Sequence, residues 1–177
     1  LPNDIRVKRF FKVDNDFHAR FLAKKRTYKY FINVNDESTI FNNSYTWVLR
    51  DKLSLSSMKL SLKYLEGKHD FSSFRSSGCQ ASNPVRNISS VSLEKNKNII
   101  VFSITANAFL YHMVRNIVGT LVDIGIKKIQ PRDLKIIITK KNRVYCSKMA
   151  PAHALFLWNV SYPQKYKIKY NAESILM

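Results

Sequence analysis

The order of apolar and polar positions predicts several β-strands, because apolar or aromatic residues alternate with basic or polar ones over short stretches. The predicted strands cover residues 5–13, 26–34, 85–94, 99–107 and 155–162. The tetrapeptide Lys-Asn-Lys-Asn at 95–98 separates two of these strands and is typical of a hairpin turn. Residues 33–44 are polar and have no period, which indicates a loop.

Three other segments carry apolar residues at helical spacing and predict helices over residues 53–66, 110–125 and 131–140. Gly67 follows the first helix as a stop signal, and Pro131 is suited to the first turn of the third. The core-facing stripe of the second helix consists of Leu110, Met113, Val114, Ile117, Leu121 and Ile124. Strands and helices in this order predict an α+β domain, with an antiparallel or mixed sheet and helices on one face.

One obligate cation, Arg115, lies beside the apolar stripe of the second predicted helix. Arginine keeps its charge inside proteins, so a buried arginine needs a fixed anionic partner. No acidic residue of the sequence obviously fits that role. The sequence therefore indicates a site whose anionic half lies elsewhere.

The charge balance of the chain indicates a class of binding partner. Lys and Arg total 30 and Asp and Glu total 12, which gives a formal charge of +18 over 177 residues. Such an excess favours a polyanion, nucleic acid first, although an AT-rich genome would also enrich Lys and Asn. The basic segments 24–26 and 140–143, together with Arg75, are predicted to contact phosphates, and Tyr28 and Tyr111 to stack on bases.

The sequence shows no pattern that is typical of other kinds of site. The two cysteines are far apart and the four histidines are scattered, so we expect no metal site and reduced thiols; these residues are Cys79, Cys146, His18, His69, His112 and His153. No nucleophile elbow or glycine-rich phosphate loop is present. No membrane-length apolar run or signal peptide is recognisable, so we expect a cytoplasmic protein. The chain opens on Leu1 rather than Met, and we expect it to be the C-terminal part of a longer protein.

Six stretches, in order along the chain, resemble the bacterial tRNA pseudouridine synthase A family. The first two are Leu-Pro-Asn-Asp-Ile at 1–5, and Asp-Phe-His-Ala-Arg-Phe at 16–21 followed by Arg-Thr-Tyr-Lys-Tyr at 26–30. The others are Gly-Lys-His-Asp-Phe-Ser-Ser-Phe-Arg at 67–75, Pro-Val-Arg-Asn at 84–87, Ala-Asn-Ala-Phe-Leu-Tyr-His-Met-Val-Arg-Asn-Ile-Val-Gly at 106–119, and Ala-Leu-Phe-Leu at 154–157 before Tyr-Pro at 162–163. Together they span nearly the whole chain.

The resemblance implies an enzyme that isomerises uridine to pseudouridine in the anticodon stem and loop of tRNA, without metal or organic cofactor. The family uses an Asp in a Gly-Arg-Thr-Asp motif, which this sequence lacks. Arg115 matches the family arginine that pairs with this Asp, and Tyr28 matches the active-site tyrosine that removes the C5 proton. The chain alone is therefore expected to be inactive.

The resemblance also implies the remaining site residues, the domain division and the assembly. Leu155 matches a leucine beside the flipped base, flanked by Ala154 and Phe156 where the family usually has Gly and Tyr. The other residues expected to bind substrate are Arg20, Arg26, Arg75, Arg86, Asn107 and His112. The family fold has two ferredoxin-like halves, so residues 1–19 would end the first half and residues 20–177 would form the second. The family acts as a homodimer on tRNA.

Two other functions are compatible with the sequence. A non-catalytic tRNA-binding or RNA-chaperone module, from a truncated or decayed gene, would account for the charge of +18 and for the departures at Ala154 and Phe156. A ribosomal protein would fit the size and charge but leaves the ordered motifs unexplained.

Overall fold

The computed structural model describes residues 1–3, 5–34 and 44–168, and these form a six-stranded mixed sheet with three helices on one face. The strands are β1 (Lys25–Asn33), β2 (Trp47–Val48), β3 (Gly67–Asp70), β4 (Val85–Asn96), β5 (Ile99–Ala106) and β6 (Leu155–Ser161). The helices are α1 (Leu55–Leu62), α2 (Met113–Gly125) and α3 (Asp133–Lys140). The predicted α+β class is confirmed. None of these helices is long and apolar enough to cross a bilayer.

Strand β1 is central to the sheet, because three other strands pair with it. It pairs with β5 along one edge, and on the other edge it pairs antiparallel with β6 and, at its end, parallel with β2. Strands β5, β4 and β3 then follow as antiparallel neighbours. The predicted hairpin between β4 and β5 is confirmed as a tight turn, with Asn96 opposite Ile99 and Lys97 at φ 51°.

The core lies between one face of the sheet and the helices. Alternate residues of β1 and β5 enter it, so Tyr30, Ile32, Phe102 and Ile104 are almost fully buried. The predicted stripe of the second helix is buried at every position, from Leu110 to Ile124. Burial of so much apolar surface is the main force that holds α2 on the sheet.

A buried amide ties α2 to the loops on either side of it. The Asn116 side chain is fully buried, and its amide nitrogen donates to the carbonyl of Phe74 at 2.8 Å. Its amide oxygen accepts from Arg143 Nη2 at 3.1 Å. Both ends of the amide are thus satisfied, as burial requires. These bonds fix the chain that surrounds Arg115, the neighbouring residue on the helix.

Several predicted boundaries are corrected. The predicted strand over 5–13 is wrong: these residues pair with no other described strand, and Ile5, Val7 and Phe10 are 53%, 62% and 92% exposed. Alternation alone makes no strand without a neighbour to complete its hydrogen bonds. The sequence pattern predicts neither β3 nor β2, because β3 has a polar pattern and β2 is only two residues long. Most of the predicted loop, residues 35–43, lies outside the described residues.

The helices are shorter than their patterns predict. Helix α2 begins at Met113 rather than at residue 110, because His112 has a φ of 60° and cannot continue a right-handed helix. Helix α1 covers Leu55–Leu62 within the predicted 53–66, and α3 begins at Asp133 after Pro131. Hydrophobic spacing continues across such ends because residues in the adjoining turns are still buried.

Candidate active site

A cleft of about 490 Å³ opens where β1 meets the turn that precedes α2. Three of the predicted site residues, Arg20, Tyr28 and His112, line this cleft. Its other lining residues are Gly78, Cys79, Gln80, Ala81, Phe109, Leu110 and Tyr111. Strand β1, the turn at 107–112 and the loop at 75–83 therefore build the site together.

Tyr28 lies half-buried on the wall of the cleft. Its ring meets that of Phe109 edge to face, with centroids 5.1 Å apart and planes at 89°. Burial raises the pKa of the Tyr28 phenol above its usual value, and the positive charge of Arg26 opposes that shift. The phenol is consequently protonated at neutral pH and can donate a hydrogen bond.

His112 occupies the junction between the cleft and α2. Its left-handed backbone conformation changes the direction of the chain just before the helix. Its carbonyl accepts a hydrogen bond from the Asn116 N–H at 3.0 Å. Its ring stacks on Tyr111 with centroids 3.7 Å apart. Burial and the nearby Arg115 charge both lower the pKa of His112, so the imidazole is neutral at pH 7.

Arg115 lies half-buried in the first turn of α2 and is held by main-chain groups. Its Nε donates to the carbonyl of Ala150 at 2.7 Å, and the Ala150 N–H donates back to the Arg115 carbonyl at 3.2 Å. Across residues 1–3, 5–34 and 44–168, no carboxylate approaches its guanidinium within 4 Å. In the described chain the positive charge therefore has no anionic partner.

Two other predicted RNA ligands, Arg26 and Asn107, are engaged in the wall of the cleft. The Arg26 guanidinium donates to the carbonyls of Ala23 at 2.8 Å and Asn107 at 2.6 Å, and also to that of Arg20. The Asn107 side-chain oxygen accepts from the backbone of Asn87 at 2.9 Å. These bonds hold the chain around Arg20, whose own side chain is exposed at the cleft.

Arg75 and Arg86 shape the loop on the opposite side. Arg75 Nη2 donates to the Cys79 carbonyl at 2.8 Å. Arg86 Nη1 donates to the carbonyls of Asn83 and Val85 at 2.8 and 2.7 Å, while its Nε is buried without a partner among the described residues. Burial lowers the pKa of Arg86.

Cys79 also lines the cleft, although no sequence motif predicted it there. Burial alone would raise the pKa of its thiol, but the backbone N–H groups of Tyr111 and Ala81, together with Arg75, lower it overall. Its sulfur accepts from the Tyr111 N–H at 3.5 Å. No cluster of three or more potential metal ligands occurs in the described part of the chain.

Leu155 begins β6 and pairs with Tyr30 on β1, outside the residues that line the cleft. The structure accommodates its two neighbours, Ala154 and Phe156, which depart from the usual family residues. Ala154 is fully buried and does not have the positive φ that would require glycine. The Phe156 ring packs edge to face on Phe31 at 5.4 Å, on the other face of the strand.

The six-stranded mixed sheet with helices on one face is an α+β fold consistent with one half of a pseudouridine synthase. The sequence profile described as tRNA pseudouridine synthase matches residues 62–163, more than half of the chain. The chain therefore belongs to the tRNA pseudouridine synthase family.

Individual relatives extend the match beyond that region. Proteins named tRNA pseudouridine synthase A from Francisella tularensis subsp. novicida (strain U112) and from Francisella philomiragia subsp. philomiragia are each 41% identical to this chain over 165 residues. The alignments cover 93% of this chain but 64% of each relative. The chain thus spans less than two thirds of the length of these relatives.

Proposed function

We propose that this chain is the C-terminal part of an enzyme that isomerises uridine to pseudouridine in tRNA. The observation that carries the proposal is Arg115, a half-buried cation on an apolar helix with no carboxylate beside it in the described chain. A partner carboxylate from the rest of a longer protein would complete the pair. The names of the relatives and the 64% coverage of their length support this division.

In the proposed enzyme, an aspartate outside this chain initiates the reaction and Arg115 holds its carboxylate ionised and oriented. A nearby cation favours the charged form of a carboxyl group, and the planar guanidinium can bind both oxygens at once. The bond between ribose C1′ and uracil N1 breaks, the base rotates, and a new bond forms from C1′ to C5. The C5 proton then leaves, and no metal or organic cofactor is needed.

Tyr28 is the proposed acceptor of the C5 proton. It lines the cleft, and its half-buried ring stands against Phe109 beside the space where a base would lie. Because burial raises the pKa of its phenol, the reactive phenolate is scarce at neutral pH but strongly basic. The C5 proton is acidified in the rearranged intermediate, so a small phenolate population is sufficient.

The exposed arginine at the cleft and the net charge of +18 suit a tRNA stem, whose uridines must leave the helical stack to react. We propose Arg20 and His112 as direct contacts to the RNA and Leu155 as a packing residue behind the site. Arg26, Arg75, Arg86 and Asn107 act by shaping the cleft walls. The proposed substrate is the anticodon stem and loop, bound by a cytoplasmic homodimer of the full-length protein.

We propose that residues 1–19 end the first half of that protein and that residues 20–177 form the second. The first strand of the described sheet begins at Lys25, and residues 5–13 expose apolar side chains that another half could cover. Phe17 anchors this connection, since its ring packs 5.1 Å from Tyr162 and 5.0 Å from Tyr166.

The 177-residue chain alone should release no tritium from tRNA labelled at uridine C5, whereas the full-length protein should turn over. The reason is that the chain supplies Arg115 and Tyr28, while no carboxylate stands beside Arg115 in the part of the chain that the structure describes. Filter binding of the same tRNA serves as the control for folding. Robust turnover by the chain alone would refute the division, and tRNA binding without turnover by both forms would favour a non-catalytic tRNA-binding module.

In the full-length protein, Arg115→Lys should lower kcat on the order of 10²-fold, because an ammonium cannot replace the planar fork that orients a carboxylate. The matched control is Arg132→Lys, at an exposed position just before α3. Single-turnover kinetics would separate the chemical step from tRNA binding. Near-normal kcat in the Arg115 variant would contradict the ion-pair role.

Tyr28→Phe should still bind tRNA but form product far more slowly, since the ring is kept and the proton acceptor is removed. The wild-type rate should rise with pH toward the raised pKa of Tyr28, because the phenolate fraction grows, and the variant should lose that dependence. Tyr45→Phe, at a residue that is 62% exposed, is the control. An unchanged pH–rate profile in the Tyr28 variant would assign this tyrosine to packing.

A further inference from the structure

A short backbone segment, residues 148–151, lies directly against α2 at the position of Gly119. A Cβ atom added to Gly119 would stand 1.9 Å from the carbonyl oxygen of Lys148 and 3.4 Å from the backbone nitrogen of Ala150. Both are main-chain atoms, so no side-chain rotation can relieve the overlap. Only glycine lets the segment approach the helix this closely.

The same segment holds Arg115. Residues 115 and 119 are one helical turn apart and share a face of α2. The segment crosses that face, and Ala150 exchanges two hydrogen bonds with Arg115: Nε donates to its carbonyl at 2.7 Å, and its N–H donates to the Arg115 carbonyl at 3.2 Å. Ala150 is fully buried and Arg115 is half-buried, so this contact is partly shielded from water.

The sheet fixes the segment from its other side. The Tyr30 hydroxyl donates to the carbonyl of Pro151 at 2.9 Å, and the Tyr30 side chain is fully buried in the core. Burial raises the pKa of this phenol, and the positive charge of Arg115 opposes the shift. The segment is therefore held between Tyr30 on β1 and Gly119 on α2.

We propose that Gly119 and Tyr30 are positioning residues for Arg115, which they hold in a fixed orientation through residues 148–151. The bond at Nε sets the plane of the guanidinium and leaves both terminal nitrogens for a carboxylate. A bidentate pair needs that plane to be fixed before the partner arrives. The catalytic consequence rests on the role proposed above for Arg115, whereas the positioning itself can be tested without turnover.

Gly125 provides a matched comparison within the same helix. A Cβ at Gly125 would meet the Met58 sulfur at 2.9 Å and the Leu53 Cδ2 at 3.0 Å, both at the ends of side chains that can move. Glycine is a poor helix former, so alanine at either position should help the helix itself. Only at Gly119 does the added methyl group collide with backbone.

The first measurement is hydrogen exchange at the Arg115 Nε–H, observed by NMR in the isotopically labelled protein. Gly119→Ala should increase the exchange rate at least about tenfold, because the Ala150 carbonyl is displaced, while Gly125→Ala should leave it within about twofold. Tyr30→Phe, which keeps the buried ring, should increase it by a smaller factor. Unchanged exchange in both the Gly119 and the Tyr30 variants would overturn the proposal.

The second measurement is the steady-state kinetics of the full-length enzyme on tRNA. Gly119→Ala should lower kcat about tenfold or more with KM within about twofold of wild type, because tRNA binding does not depend on the guanidinium plane. Fast Nε–H exchange with unchanged kcat would support the positioning role of Gly119 but overturn the catalytic role of Arg115. If Gly119→Ala does not fold, Tyr30→Phe decides: faster exchange supports the proposal, and unchanged exchange refutes it.

Discussion

The constraint on which this structure depends is a permanent positive charge placed on an apolar helix. Helix α2 buries its stripe from Met113 to Ile124 against the sheet, and this packing places Arg115 in a half-buried position in the first turn of the helix. Water cannot fully solvate the charge there, and no described carboxylate neutralises it. The protein instead supplies a main-chain carbonyl at Nε, which orients the guanidinium without removing its charge. This arrangement leaves the charge available to an anion.

The other arginines near the cleft have a different use. Arg26, Arg75 and Arg86 each donate to backbone carbonyls of the loops that form its walls. A guanidinium bound in this way keeps its charge and also ties together the backbone groups that it contacts. Arg20 remains exposed on the lining. The cleft thus combines one exposed basic side chain with three guanidinium groups that are bound to the surrounding backbone.

Much of this arrangement could be predicted from the sequence. Alternation identified β1, β4, β5 and β6, helical spacing identified the three helices, and the isolated charge marked Arg115 as unusual. Failures arose where the deciding interaction is not local in sequence. A strand pattern over 5–13 has no neighbour to pair with in the described chain, and the polar sequence of β3 becomes a strand only because β4 lies beside it. The left-handed turn at His112 interrupts no hydrophobic pattern.

The site was harder to predict than the fold for the same reason. Motifs identified Tyr28, His112 and Arg20, and all three meet in the cleft. The contact between Gly119 and residues 148–151 joins distant parts of the chain through backbone atoms, which leave no signature in side-chain chemistry. Cys79 and Ala81 reach the cleft through the path of a loop. Neither kind of contact follows from residue type or spacing.

We have proposed that Arg115 pairs with a carboxylate that lies outside this chain. The decisive measurement is the distance from the Arg115 terminal nitrogens to the nearest carboxylate oxygen in an experimental structure of the full-length protein. We expect an aspartate oxygen from the preceding part of that protein within hydrogen-bond distance of those nitrogens. A guanidinium paired with a carboxylate of this chain, or left facing solvent, would contradict it.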